Sequence, residues 1–176
     1  MIDKLHELLP VVLEDLQKKN YDEWDTLVIN RRKPHTYRIS KMYGDYRICL
    51  HNFVECEEDE AFAHPHPWPG AFLLLSGEYY HRLARSKNAI TLPTSYHKQL
   101  LRANSMYEIT HPLEWHSVQP LVRTMTIMIN GKPWTAQHVE TRTTKGKDLE
   151  KMERGLVVSH CCVFENLITE YVRNYL

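Results

Sequence analysis

The stretch His64-Pro65-His66-Pro67-Trp68-Pro69-Gly70-Ala71-Phe72-Leu73-Leu74-Leu75-Ser76-Gly77 decides how the chain is read. In a β-strand, residues i and i+2 point to the same face, so His64 and His66 can both face one point. Neutral imidazole is the commonest side-chain metal ligand. The apolar run Ala71 to Leu75 reads as a buried strand, and Ser76-Gly77 as the turn that ends it. The competing reading is a chance pairing in a chain with 11 histidines.

Working outward, Phe62 to Leu75 reads as one strand, with Glu78 to Leu83 as its antiparallel partner across the turn. Upstream, strands over Thr36 to Met42 and Tyr46 to Cys56 flank the turn Tyr43-Gly44-Asp45. The acid run Glu57 to Glu60 reads as a solvated loop tip. Downstream, Arg85 to Thr94 is loop. His97 to Arg102, Met106 to Thr110, a segment from Trp115, and Arg123 to Ile129 read as strands, with Trp134 to Val139 as the last. Many short strands at hairpin spacing predict a mainly β fold, an antiparallel barrel or double-sheet jelly roll. The interior of such a barrel can hold a metal and a small ligand.

Helices are expected at both ends. Ile2, Leu5, Leu8, Leu9, Val12, Leu13 and Leu16 recur at helical spacing, with Pro10 expected to divide the helix in two. Phe164, Leu167, Ile168, Tyr171, Val172 and Tyr175 form a second apolar stripe. The length fits a single domain: a helical segment over 1–34, a barrel over 35–139, then a polar loop and helix over 140–176. The C-terminal stripe should pack on the barrel or on a partner subunit, which makes a homodimer an expectation.

Lys+Arg and Asp+Glu are both 22. That balance argues against nucleic acid or an anionic membrane surface as the main partner. No apolar run approaches the roughly 20 residues that span a bilayer. Cys49, Cys56, Cys161 and Cys162 form no Cys-x-x-Cys pair, which reads as reduced-thiol usage and a cytoplasmic location.

His64-x-His66 followed by His116 at the start of a later strand resembles the ligand set of the cupin superfamily, the RmlC-like jelly rolls. In the first cupin motif a Glu and then a Gly follow the histidines; here Gly70 stands at the Glu position and Gly77 at the Gly. Pro112-Leu113-Glu114-Trp115-His116 resembles the second motif, one residue short. The resemblance covers roughly residues 36 to 135 and implies His64, His66 and His116 as metal ligands. His111 is the alternative third ligand, but it precedes Pro112 in a turn, and strand placement favours His116.

A neutral three-histidine set leaves positions open on the metal. Imidazole suits several divalent metals, so ligand type alone does not choose among them. Within the cupins, three histidines with Gly at the Glu position resemble the bacterial cysteine and thiol dioxygenases. That implies Fe(II), with Zn, Ni or Mn as alternatives, and an oxygenase acting on a small organic substrate, a thiol or a carboxylate. Tyr37-Arg38 lies where those enzymes place the arginine that binds substrate carboxylate, so the resemblance implies a catalytic-site role for Arg38. An ion pair between Arg38 and the acid run is the alternative. The strand after His116 departs from those enzymes, with Met128 and Asn130 where they carry a His and a Tyr. A non-oxidative cupin enzyme (isomerase, epimerase or lyase) and a ligand-binding cupin without catalysis are the rival functions.

Overall fold

The computed structural model describes residues 1–88, 90–134 and 149–176. Helix α1 spans Ile2–Gln17, and strand β1 spans Asp25–Ile29. Strands β2 (Thr36–Tyr43), β3 (Tyr46–Phe53), β4 (His64–Pro65) and β5 (Gly70–Ser76) follow. Then come β6 (Glu78–Arg85), β7 (His97–Arg102), β8 (Met106–Ile109), β9 (Glu114–Pro120) and β10 (Thr124–Asn130), and finally helix α2 (Arg154–Tyr175). The expected strand over 134–139 and the polar loop over 140–148 lie largely or wholly outside the described residues.

The strands make two antiparallel sheets, one of order β1-β2-β3-β10-β5-β8 and one of order β4-β9-β6-β7. This is a double-sheet jelly roll with a helix at each end, the expected fold. Side-chain parity divides the larger sheet cleanly. Ile39, Ile48, Leu50, Ala71, Leu73, Ile127 and Ile129 pack against Leu5, Leu9, Val12 and Leu16 of α1 and Phe164 and Ile168 of α2. Alternate residues, among them Cys49, Phe72, Leu74 and Met128, face the smaller sheet. Strand β5 is therefore buried on both sides, which explains its unbroken apolar run.

Four local expectations are corrected. The helix runs through Pro10 without dividing. Pro10 is exposed, and four buried apolar side chains hold the helix down. Residues 25–29, placed in the helical segment, form a strand paired with β2. The single strand expected over 62–75 is two, because Pro67 and Pro69 cannot donate to a ladder. Finally, β5 and β6 are not hairpin partners: β5 pairs with β10 and β8, and β6 with β7 and β9.

The chain changes sheet at Gly77. Its φ is +78°, and a Cβ there would lie 2.6 Å from Thr124 Oγ1 and 2.7 Å from the Arg123 carbonyl. Only glycine fits this crossing. The apolar stripe of α2 is buried against α1 and the larger sheet of its own chain, so the stripe itself gives no argument for a dimer.

Candidate metal centre

Strand β4 is two residues long and pairs with β9, setting His64 opposite His116. His66 follows the intervening Pro65 onto the same inner side. One ring nitrogen from each of His64, His66 and His116 lies within 4.8 Å of the other two. His66 and His116 are buried and His64 is half-buried. His111 stands apart: its Nδ1 accepts from the Leu113 N–H at 3.1 Å, closing its own turn.

The protonation states follow from burial. Desolvation holds the pKa of His64 below the usual imidazole value, partly offset by its contact with the Phe62 carbonyl. Burial, then the neighbouring histidines, holds His66 and His116 well below it. All three are therefore neutral at pH 7, the form that ligates metals.

Their hydrogen bonds decide where the lone pairs point. His64 Nδ1 faces the Phe62 carbonyl at 3.4 Å, which can only accept, so Nε2 keeps its lone pair. His116 Nδ1 lies 3.2 Å from His81 Nε2. With the proton on His116 Nδ1, its Nε2 also presents a lone pair, 2.8 Å from His66 Nε2. Nδ1 of His66 is buried without a partner. In the metal-free state His66 must therefore either face lone pair against lone pair or turn a proton toward His116 and leave Nδ1 an unmet acceptor. A divalent cation shared by the three Nε2 atoms removes the first conflict, so the donor set fits a metal.

The walls are aromatic. Phe72 lies 5.4 Å from His66 and 5.8 Å from His116, and stacks on Tyr107 at 4.5 Å. Tyr79 donates a 3.0 Å hydrogen bond to the Tyr107 hydroxyl, and burial pushes both phenols above their usual range. The His81 ring lies tilted against Tyr107 with centroids 4.2 Å apart, and burial pushes its pKa down to about 4. Tyr79 and His81 are buried and Tyr80 between them is half-exposed, as strand alternation requires. His81 as the partner of His116 was not foreseen. Strand parity could have admitted it to the interior, but nothing in the sequence pairs it with His116.

On the facing sheet, cross-strand register sets out the inner wall. Arg38, His51 and Thr126 occupy one row, and Arg47 and Asn130 another with Gly70 beside them. Cys49 and Met128 lie between these rows, next to Phe72. Burial, then the fields of Arg38 and Arg47, pushes His51 down to about 3. Arg38 thus faces inward, and its alternative fails: the acid run binds Lys33, Arg82 and Lys98 instead. That run is exposed, as expected of a loop tip, and carries surface ion pairs. Glu78 pairs with Arg102, away from the cluster.

A glycine where the cupin pattern has a metal-ligating Glu would be expected to leave a gap, and Gly70 does not. A Cβ there would meet the Ile129 carbonyl at 3.1 Å and Asn130 Oδ1 at 3.2 Å, so the Asn130 amide occupies that space. Trp68 stands at the rim, with the Arg47 guanidinium over its ring at 4.5 Å. On the outer side of the smaller sheet a cavity of about 650 Å³ is lined by Phe62, His64, Arg82, Trp115 and Ser117 among others. Of the three clustered histidines only His64 reaches it, so the cluster lies at its edge.

No protein-family model matches the chain, and no curated protein matches it. Solved structures do. The hydroxypropylphosphonic acid epoxidase from S. wedmorenis is 13% identical, with 62% of this chain and 56% of that one covered and a TM-score of 0.49. Fe(II)-HppE with the alternative substrate (S)-1-HPP and FeII HppE each match at 13% identity, 62% and 57% coverage and a TM-score of 0.50. The chain thus spans about 57% of the length of those structures. At this identity the likeness is one of fold. The shared fold is the double-sheet jelly roll: its larger sheet is backed by two helices, and its smaller sheet carries His64 and His116, with His66 just past the end of β4.

Proposed function

We propose that the protein is a metal-dependent cupin oxygenase that uses Fe(II) and acts on a small organic substrate. The observation that carries this reading is the convergence of three neutral, mostly buried imidazoles, two of them 2.8 Å apart, on the inner face of a jelly roll. The structures similar in fold include FeII HppE, which supports iron as the metal.

His64, His66 and His116 would hold the metal by their Nε2 atoms. A bound Fe(II) would supply open positions at which a substrate and dioxygen react. The rest of the work falls to this chain's own residues. His81 keeps the His116 proton on Nδ1. Phe72, Tyr79 and Tyr107 keep water from the imidazoles. Arg38, facing inward, offers a planar fork to an anionic group of the substrate. The thiol-dioxygenase resemblance draws support from the histidine set and from the inward Arg38. Met128 and Asn130, both buried on β10, distinguish this wall from that of those enzymes. A thiol or carboxylate substrate is accordingly the class to test first.

The test is metal analysis of untagged protein, then oxygen uptake by the Fe(II)-loaded protein with a panel of small thiols and carboxylates. Iron at about one per chain, with substrate-dependent oxygen uptake lost in His116→Ala, is the expected result. Zinc as the resident metal with no oxygen uptake would overturn the oxygenase reading in favour of a non-oxidative cupin.

A further inference from the structure

The cavity of about 650 Å³ on the outer side of the smaller sheet is large enough for a small organic molecule and lies outside the histidine cluster. Strand parity keeps the two apart. On β9 His116 faces inward, while its neighbours Trp115 and Ser117 face outward and line the cavity. The segments joining β1 to β2, β3 to β4 and β6 to β7 close over this floor and contribute Arg32, Phe62 and Tyr96. Arg82 fastens the second of them to the sheet. Its Nε donates to Ser117 Oγ at 3.0 Å, and its Nη2 donates to the Glu58 carbonyl at 2.7 Å.

The lining is aromatic, and its free charge is positive. Phe62 lies stacked on His64 with ring centroids 5.6 Å apart, and the Arg32 guanidinium sits over the Phe62 ring at 4.2 Å. The acids nearby are mostly engaged: Glu60 holds Lys33 at 2.6 Å, and Glu58 holds Lys98 and Arg82. Asp59, the remaining acid of the lining, is exposed at the loop tip. Among the described residues Arg32 makes no ion pair, so its charge is available to a ligand. Trp115, only 2% exposed, has its Nε1 buried without a partner, and so is the Tyr96 hydroxyl. Buried donors are nearly always met, and an acceptor brought against these two by small side-chain turns relieves the cost.

We propose that this outer cavity is a second ligand site, separate from the metal centre, and that it takes a planar aromatic acid. The rings lie against Phe62 and Trp115, and the carboxylate turns to Arg32, with the Tyr96 hydroxyl as a further donor. A molecule bound here does not ligate the metal. Of the three clustered histidines only His64 lines the cavity, and its Nδ1 is held by the Phe62 carbonyl at 3.4 Å. The site stands on its own lining and does not depend on the presence or identity of the metal.

The test is calorimetric titration of the metal-free protein with 2-naphthoate, neutral 2-naphthamide and acetate, for wild type, Arg32→Gln, Phe62→Leu and Arg38→Met, with thermal melts showing that each variant folds. Wild type should bind 2-naphthoate, bind 2-naphthamide about fivefold more weakly, and show no binding of acetate in the same range. Arg32→Gln should bring 2-naphthoate down to the level of 2-naphthamide, and Phe62→Leu should weaken both. Arg38→Met, on the inner face of the larger sheet, should leave both unchanged. Three results overturn the proposal: no binding of 2-naphthoate, equal binding of acid and amide by wild type, or a loss in Arg38→Met with none in Arg32→Gln, which would place the ligand inside the jelly roll. Co(II) titration of wild type with and without 2-naphthoate separates this site from the metal centre. Naphthoate binding without Co(II) binding supports the outer site and refutes the metal centre. Co(II) binding without naphthoate binding does the reverse.

Discussion

Replacing His81 by Phe should weaken metal binding without unfolding the protein. The ring would still stack on Tyr107, which lies 4.2 Å from His81, but the acceptor for His116 Nδ1–H would be gone. In the metal-free protein His116 can move its proton to Nε2 and share it with His66 Nε2 at 2.8 Å, so little stability is lost. Metal binding removes that choice, because Nε2 must carry a lone pair and the proton must sit on Nδ1. His116 is 3% exposed, so water cannot replace the lost acceptor. Leaving a buried donor unmet costs about 1–3 kcal/mol, and loss of an outer partner of a ligating histidine typically costs about 10- to 100-fold in affinity. The assay is a competition titration with Co(II) against a chelating dye at pH 7.5, with thermal melts of the metal-free protein beside it. His81→Gln, whose amide oxygen can accept, should recover much of the loss. A Phe variant that binds Co(II) as tightly as wild type would refute the assignment of His81.

Three further outcomes follow from the same geometry. His116→Ala should abolish Co(II) binding and His111→Ala should leave it unchanged; the reverse pattern in the same titration would move the third ligand to the 111–114 turn. Gly70→Ala should cost roughly 1–3 kcal/mol in urea unfolding, and Gly70→Glu more, since the added atoms press on the Ile129 carbonyl and Asn130; a Glu variant with wild-type stability and tighter Co(II) binding would show instead that a carboxylate at this position has room to reach the metal. The metal-free protein should lose stability on mild acidification. His51 and His81 titrate near 3 and 4 when folded and near 6.5 when unfolded, so their contribution is complete above pH 6.5 and drains away as pH falls toward 4. That amounts to roughly 3–4 kcal/mol between pH 7 and 5 for the pair, read as a falling urea midpoint, and a flat midpoint over that range would contradict it.

The strands were legible wherever one rule governed them. The strand expected over 36–42 is β2 to within one residue, the one expected over 46–56 starts with β3 but overruns it by three residues, and the apolar run 71–75 marks the body of β5 although its strand was drawn from Phe62. Pairing was less legible, because a short turn between apolar runs reads as a hairpin whether or not the chain changes sheet. Gly77 is such a turn, and its sheet change depends on Thr124, 47 positions away. Strand β1 was missed because it is only five residues long and four of them are half-buried or exposed, so no apolar run or clear alternation marks it. Pro10 misled in the other direction: its cost is local, whereas the burial of Leu5, Leu9, Val12 and Leu16 that overrides it is tertiary.

The three histidines were legible because each carries its own signal: parity in His-x-His, and strand entry for His116. Their surroundings were not, because those residues act only in pairs drawn from distant strands. His81 is an unremarkable strand residue until β6 is laid beside β9. Asn130 filling the space beside Gly70 follows from the pairing of β10 with β5, so the position that looked like an opening is closed. The same register turns Arg38 from one half of a surface ion pair into an inward cation. A jelly roll whose larger sheet buries its apolar face under two helices is free to make its other face polar without losing its main core. Stability resides chiefly on the helix side of that sheet, and the inner side can therefore hold polar side chains such as His51 and Arg38.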